Sequence, residues 1–127
     1  MKNKEQLKQL YVKYGLSPDD CFKHKHYVII TRSGIDKIQS KSDIRIEYDL
    51  IFHSADCKTA IVKAKGRLGD NAIQTYGEVN PSNNTNTYPI AMAEKRAMSR
   101  IVLKLAGFYE AGAMGEDESE EFKPEKN

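Results

Sequence analysis

The stretch IRIEYDLIFHS, residues 44–54, decides the fold class because apolar and charged residues alternate along it. A period of two places alternate side chains on opposite faces of a β-strand, so the pattern predicts a strand with one buried face. The apolar positions are Ile44, Ile46, Tyr48, Leu50 and Phe52, and the charged positions between them are Arg45, Glu47 and Asp49.

Two further segments repeat this alternation. In TAIVKAKGRL, residues 59–68, small apolar residues alternate with cations, and the turn LGDN leads into AIQTYGEV, residues 72–79. Short alternating runs joined by a tight turn are typical of an antiparallel meander. A separate apolar run, YVIITR at residues 27–32, predicts one more strand before the meander.

The stretch YPIAMAEKRAMSRIVLKLAG, residues 88–107, has its apolar residues at helical spacing. Pro89 suits a first helical turn and Gly107 a C-terminal cap, so we expect a helix over residues 89–106. The fold class is therefore predicted as α+β: an antiparallel meander of three to four strands with a β-β-β-α core, one long helix packed across the sheet, and short N-terminal helices. The helical angle of Glu94 falls on the apolar side, which predicts a buried carboxylate with an internal partner.

The charge is unevenly distributed. The net charge is +2, but residues 116–127 hold six acidic and two basic residues, which leaves 18 basic and 12 acidic residues in the first 115. We expect a single domain over residues 1–112 and an acidic, flexible tail over residues 113–127. A basic body favours a polyanion as partner. The tail is interpreted as a solubilising end, as a docking peptide for a protein, or as a nucleic-acid mimic.

Two rows of cations are the candidate binding residues. One row alternates along the third predicted strand and the other recurs every four residues on the long helix, and we expect the two rows to meet at one cleft. The strand row has its cations about 7 Å apart, comparable to the spacing of phosphates along a strand. The alternative is that both rows are merely solvated. The residues are Lys63, Lys65 and Arg67 on the strand, Arg96, Arg100 and Lys104 on the helix, and Arg32 and Lys37 at the rim, with Tyr27, Tyr76 and Tyr88 as candidate stacking platforms.

The spacing of residues in the sequence gives only weak support for a catalytic or metal site. Zinc could use four of Cys21, His24, His26, His53 and Cys57, but their spacing matches no standard zinc motif, so we expect no metal and no cofactor. Pro18-Asp19 and Asp56-Cys57-Lys58 spell a minimal Mg²⁺-dependent nuclease pattern, which we rank below a non-enzymatic role because the second piece falls in a predicted turn. No glycine-rich phosphate loop or G-x-S-x-G elbow occurs.

No apolar run approaches the roughly 20 residues that a membrane crossing needs. The first residues, MKNKEQLKQLYVKYG, lack the apolar segment of a secretory signal. We therefore expect a cytoplasmic protein without a disulfide and without a membrane partner.

Three stretches together resemble a known family. IITRSGIDKIQ at residues 29–39, YGEVNP at residues 76–81 and AMAEKRAMSRIVLKLAG at residues 91–107 are similar to small phage- and mobile-element-encoded DNA proteins, and through them to the Erf-type single-strand annealing recombinases. The resemblance implies a protein that is not an enzyme, binds single-stranded DNA along a basic groove, assembles into rings or filaments, and helps complementary strands pair.

The leading hypothesis is therefore a single-stranded DNA-binding protein of the annealing and recombination class, with RNA as the alternative ligand and a homo-oligomer as its expected state. A protein-interaction module is the first rival, and the Mg²⁺-dependent nuclease is the second. Rows of lysine and arginine suit annealing because they neutralise the backbone and leave the base edges free.

Overall fold

The computed structural model describes residues 2–122. Within these residues, the α-helices and β-strands follow the chain in nine elements: α1 (Lys2–Tyr14), β1 (Cys21–His24), β2 (Tyr27–Ile30), α2 (Arg32–Ser42), β3 (Arg45–His53), β4 (Ala60–Leu68), β5 (Asn71–Val79), α3 (Pro89–Leu105) and β6 (Ala113–Gly115). The α+β class, the three-stranded meander and the long helix across it are confirmed.

The larger sheet is the antiparallel meander β3-β4-β5, with β4 in the centre. Alternate residues of β4, namely Ala60, Val62 and Ala64, are buried beneath α3. The helix lies over β4 and β5 and has few contacts with β3. One face of the sheet is therefore covered by α3, and the other has no secondary structure packed on it among the described residues.

Two glycines allow α3 to approach the sheet closely. A Cβ atom at Gly77 of β5 would collide with the backbone carbonyl of Ala93, and one at Gly66 of β4 would collide with the side chain of Ile101. Glycine within a strand often marks such a close approach. At these two positions the helix lies directly against the sheet.

A second, smaller sheet was only partly predicted. Strand β2, which lies within the predicted segment 27–32, pairs antiparallel with β1 and parallel with β6 rather than with the meander. Of the predicted short N-terminal helices, α1 forms, but the segment after Ser17 is a single 3-10 turn, Pro18–Asp20, because the chain turns at once into β1.

The predicted boundary at residue 112 is wrong for the first part of the tail. Residues 113–115 form β6, with Ala113 and Gly115 buried, and residues 116–118 form a 3-10 turn against α3. Strand β6 is short and includes Ala113 and Gly115, so no run of large apolar residues marked it as a strand in the sequence. Residues 123–127 of the predicted tail lie outside the described residues.

Helix α3 is sandwiched between the meander and the layer formed by α2 and β6. Its buried surface is consequently wide and includes Arg96 and Ser99 as well as the apolar stripe. The prediction for Glu94 is wrong, because Glu94 is exposed and the buried ionisable residue of this helix is Arg96. Among the helices described between residues 2 and 122, none has both the length and the apolar character needed to span a membrane.

Candidate nucleic-acid interface

The uncovered face of the meander carries the basic row of β4. Lys63, Lys65 and Arg67 alternate with residues buried beneath α3, so their side chains project from the opposite face of the sheet. None of the three forms an ion pair within 4.0 Å among the described residues. We call this surface the open face, and it also includes the residues of β3 and β5 that pair with the row.

The strand register determines the neighbours of each cation. Lys65 lies between Glu47 of β3 and Gln74 of β5, and Lys63 lies between Asp49 and Tyr76. Opposite charges on directly paired positions attract one another weakly. The middle of the open face is therefore mixed in charge.

One end of the open face has an excess of cations. Arg45 of β3 is paired directly with Arg67 of β4, so two guanidinium groups face each other across neighbouring strands. Like charges in this position destabilise a sheet. Among the residues the structure describes, the ion pair at this end is the one between Arg45 and Asp43, at 3.9 Å and with both side chains more than four-fifths exposed. An anion bound between the two arginines would relieve their repulsion.

The Arg45–Arg67 pair borders a groove of about 800 Å³. The charged side chains at its lining are Arg45, Lys65, Arg67 and Glu47, which gives the lining a net charge of +2, and Gln74 adds an amide. A groove of this size on a sheet face is large enough for part of an extended polyanion but has no enclosed cavity for a buried substrate.

The basic row of α3 has a different environment. Arg96 is only 2% exposed. Its guanidinium donates to the carbonyl oxygens of Asp117, Glu78 and Asn83 at 2.7–3.0 Å, and to the side-chain oxygen of Asn83 at 3.1 Å. Burial lowers the pKa of Arg96 from its usual value. Arg96 therefore holds the loop after β5 and the C-terminal segment together, and it is inaccessible to a nucleic acid.

Arg100 is also used inside the protein. Its Nε and Nη2 atoms bind the two carboxylate oxygens of Glu118 at 2.8 and 2.7 Å, and its Nη1 atom donates to the carbonyl of Tyr76. The hydrogen bonds to Glu118 raise the pKa of Arg100. Within the predicted α3 row, the charge of Arg100 is therefore neutralised by Glu118 of the acidic segment.

The remaining predicted cations are partly engaged. Lys37 binds the buried carboxylate of Asp20 at 2.7 Å. Arg32 lies 3.7 Å from Asp36, and Lys104 is exposed with its Nζ atom 5.3 Å from the ring centre of Tyr109. These three cations and the β4 row do not form one cluster.

The expected cleft between the two basic rows does not exist. The β4 row projects from the face of the meander opposite α3, while Arg96 and Arg100 lie on the covered side. The prediction that the two rows converge failed because the periodicity of a helix or a strand gives the direction of a side chain only relative to its own element. Of the predicted residues, the structure leaves Lys63, Lys65 and Arg67 together on one accessible surface.

Of the three candidate stacking tyrosines, only Tyr76 lies on the open face, where it pairs with Lys63 and is 49% exposed. Tyr27 contacts the ring of Phe122, and Tyr88 lies beneath the Nζ atom of Lys95. An exposed ring beside a cation is suited to stacking with a base. Tyr76 and Lys63 therefore extend the groove towards the other end of the sheet.

Sequence reasoning missed Arg45. The alternation of residues 44–54 had placed Arg45, Glu47 and Asp49 on the polar face of their strand, and an antiparallel pairing with residues 59–68 was expected. The register that sets Arg45 opposite Arg67 depends on the length of the connection between the strands and on an irregularity between Leu50 and Phe52. The polar face was therefore detectable, but the facing arginines were not.

The two chemical alternatives find no assembled site in the described part of the chain. Asp56 lies in the β3–β4 connection, where its carboxylate accepts hydrogen bonds from Ser54 and from the backbone amide of Lys58. Between residues 2 and 122, no three histidine, cysteine, aspartate or glutamate side chains come together in a group that could hold a metal ion. Cys57 and His53 are neighbours, with 3.7 Å between sulfur and Nδ1, but no third ligand from the described part of the chain joins them.

Comparison of the chain with protein-family models, with curated protein sequences and with solved structures finds no match in any of the three.

Proposed function

We propose that this protein binds single-stranded nucleic acid on the open face of the β3-β4-β5 sheet. Arg45, Lys65 and Arg67 contact backbone phosphates in the groove, and Lys63 continues the contacts along β4. Tyr76 offers a ring for one base. The observation that carries the proposal is the direct pairing of Arg45 with Arg67 on an uncovered sheet face, an arrangement that favours a bound anion.

The surface favours an extended strand over a compact anion. The β4 cations recur at every second residue, about 7 Å apart, so they form a line and not a pocket. An uncovered antiparallel sheet with cations and an aromatic ring is a common platform for single strands. The proposed contacts are made by strands of an open sheet face, and sequence-specific reading of a duplex is not part of the proposal.

The annealing and recombination role rests on the resemblance of residues 29–39, 76–81 and 91–107 to Erf-type recombinases. A backbone contact on one flat face supports this role, because it leaves the bases accessible to a complementary strand. The proposal requires neither a cofactor nor catalysis.

Binding is tested by fluorescence anisotropy of labelled DNA and RNA oligonucleotides titrated at several salt concentrations. Replacing both arginines, Arg45→Gln with Arg67→Gln, removes two backbone contacts. We expect the affinity to fall by about tenfold at low salt, and the slope of log affinity against log salt to fall by about 1.4. No binding by the unmodified protein at low salt would refute the proposal.

The matched control removes two cations elsewhere, Lys4→Gln with Lys8→Gln on α1, where both side chains are exposed. The control has the same net charge as the arginine variant. We expect it to keep most of the affinity and the salt slope. An equal loss in both variants would mean that the total charge of the protein, and not the open face, attracts the nucleic acid.

The protein-interaction module remains a second candidate because of a specific feature of β3. Tyr48, Leu50, Ile51 and Phe52 are between 38% and 51% exposed on this one strand. Tyr48 and Leu50 share the helix side of the sheet, since their partners Ala64 and Val62 are buried beneath α3, whereas Phe52 pairs with Ile61 on the other face. Exposed apolar patches mark protein–protein interaction sites.

A further inference from the structure

The acidic segment, residues 116–121, contacts α3, the N-terminus of α2 and the loop after β5. Its sequence, EDESEE, contains no apolar residue, so polar groups attach it to the rest of the protein. Apolar contacts anchor the chain on either side of it. Before the segment, β6 pairs with β2, and after it Phe122 contacts the rings of His24 and Tyr27.

Two carboxylates of the segment occupy strong hydrogen-bond donors on helices. Glu118 accepts two hydrogen bonds from the guanidinium group of Arg100, at 2.7 and 2.8 Å. Glu116 accepts a hydrogen bond at 2.6 Å from the backbone amide of Arg32, which is the first residue of α2. The fork of an arginine and the amide at a helix N-terminus are both donors that proteins use for phosphate oxygens.

A third carboxylate occupies the loop after β5. Glu120 accepts hydrogen bonds from both the backbone amide and the hydroxyl group of Thr85, at 3.0 and 2.9 Å. Backbone amides and hydroxyl groups are also common partners of nucleic-acid phosphates. The three carboxylates stand at alternate positions of the segment, and each meets a donor set that suits a phosphate.

We infer that this side of the protein is a second binding surface for single-stranded nucleic acid, which the acidic segment occupies in the intact chain. We call it the masked face and define it by the guanidinium group of Arg100, the amide and hydroxyl of Thr85 and the amide of Arg32. The bound carboxylates are themselves anions, and a nucleic-acid backbone offers anionic oxygens in series. The masked face lies on the α3 side of the meander, so it is separate from the open face.

The acidic segment keeps nucleic acid away from the masked face because its carboxylates belong to the same chain. Its anchored ends hold the carboxylates at an effective concentration on the order of millimolar, which a dilute oligonucleotide does not match. The side chains of Arg100 and Glu118 are only 26% and 10% exposed. In the intact protein, binding is therefore restricted to the open face, and loss of the carboxylates adds a second site.

The masked face is tested in full-length protein that carries Arg45→Gln and Arg67→Gln, so that the result does not depend on the open face. In this background, Glu118→Ala with Glu120→Ala removes two of the bound carboxylates. We expect the anisotropy titration with labelled single-stranded DNA to show about tenfold tighter binding at low salt. The salt slope should rise by about 0.7, the value for one added backbone contact through Arg100.

The matched control is Glu5→Ala with Asp19→Ala, which changes the net charge by the same amount at two exposed positions. It should leave the salt slope unchanged and alter the affinity by less than about threefold. An equal gain in the control would assign the effect to net charge and overturn the inference. Adding Arg100→Gln to the Glu118 and Glu120 variant should abolish the gain, and a gain that persisted would also overturn it.

A second variant guards against misfolding. Glu118→Gln with Glu120→Gln keeps the size of both side chains and should give a smaller gain in the same direction, with a circular dichroism spectrum like that of the unmodified protein. No gain in this folded variant would overturn the inference. Binding by the unmodified protein tests the open face, and the gain in the Glu118 and Glu120 variants tests the masked face, so the failure of one is distinguishable from the failure of the other.

Discussion

The two basic rows look alike in sequence and differ completely in the structure. Lys63, Lys65 and Arg67 recur with the period of a strand, and on the open face their side chains form no ion pair with any residue that the structure describes. Arg96 and Arg100 recur with the period of a helix, and hydrogen bonds to other parts of the chain occupy both guanidinium groups. A regular spacing of cations therefore shows which residues share a face of one element, but not what lies against that face.

The acidic C-terminal segment accounts for the difference. Glu118 binds Arg100, the carbonyl of Asp117 binds Arg96, and Glu116 accepts a hydrogen bond from the backbone amide of Arg32 at 2.6 Å. The segment follows β6 directly and is thereby held over α3. The interpretation of the segment as a solubilising end does not fit these contacts, and its charges complement a cationic surface of the same molecule.

The largest expected effect concerns Arg96. Arg96→Met retains length and apolar volume but leaves the carbonyl groups of Asp117, Glu78 and Asn83 without their donor. We expect the free energy of unfolding to fall by about 3 kcal/mol or more, because buried polar groups without partners are costly. Urea unfolding measures the change. Lys104→Met on the same helix is the control and should cost less than about 1 kcal/mol.

If Arg96→Met were no more destabilising than Lys104→Met, the α3 row would be an ordinary solvated surface. The comparison between the two rows would then fail, and the hydrogen bonds of Arg96 would contribute no net stability.

The predictable part of the fold follows from local periodicity. The alternation in residues 44–54, 59–68 and 72–79 and the helical spacing in residues 89–106 indicated the meander and its covering helix, and the structure confirms them. Alternation predicted these strands because the two faces of a sheet differ in polarity. The predicted buried face of β3 is wrong, however: Tyr48, Leu50 and Phe52 are exposed, because α3 lies over β4 and β5 and the register shifts after Leu50.

The second layer could not be predicted in the same way. Strand β6 has only three residues, of which Ala113 and Gly115 are small, and its parallel pairing with β2 links segments more than 80 residues apart. Burial of α3 on two sides made the position of Glu94 and Arg96 depend on that layer. The sequence correctly predicted that the cations of β4 share one face of the strand. The pairing of Arg45 with Arg67 could not be predicted without the strand register.

A smaller effect is expected for the pair of Arg100 and Glu118. A double-mutant cycle with Arg100→Gln and Glu118→Gln should give a coupling energy of about 1–2 kcal/mol, because the contact is bidentate and mostly shielded from solvent. The pair of Arg45 and Asp43, at 3.9 Å and highly exposed, is the matched control and should show a coupling near zero. Equal coupling in the two cycles would contradict the structural role of Arg100.

The free energy of unfolding at low pH should show that Lys37 is a third cation with a structural role. Burial raises the pKa of Asp20, but hydrogen bonds from Lys37, Ser17 and Ser33 outweigh it and lower the pKa from 3.8 to about 2. A carboxyl with a lowered folded pKa stabilises the protein above its unfolded pKa, and this contribution is lost as the pH falls from about 4 towards 2. Because Lys37 is nearly half exposed, we expect a loss of about 1 kcal/mol.

Urea unfolding between pH 5 and the lowest pH at which the fold persists measures how the free energy of unfolding depends on pH. Steps of roughly one pH unit are sufficient. Asp20→Asn should flatten the acid part of the curve, and Asp36→Asn on the exposed side of α2 should not. An unchanged curve for Asp20→Asn would show that other carboxylates cause the loss.

The smallest effect on stability, and the sharpest test of the comparison, is expected for Lys65→Gln. Lys65 is exposed and forms no ion pair in the described structure, so its removal should change the free energy of unfolding by less than about 0.5 kcal/mol. In the oligonucleotide titration, the same change should lower the salt slope by about 0.7, the value for one backbone contact. Arg100→Gln should do the reverse, lowering stability without altering the slope, because Glu118 already neutralises that charge. A loss of salt slope in Arg100→Gln but not in Lys65→Gln would assign the nucleic acid to the α3 side and would require the acidic segment to detach on binding.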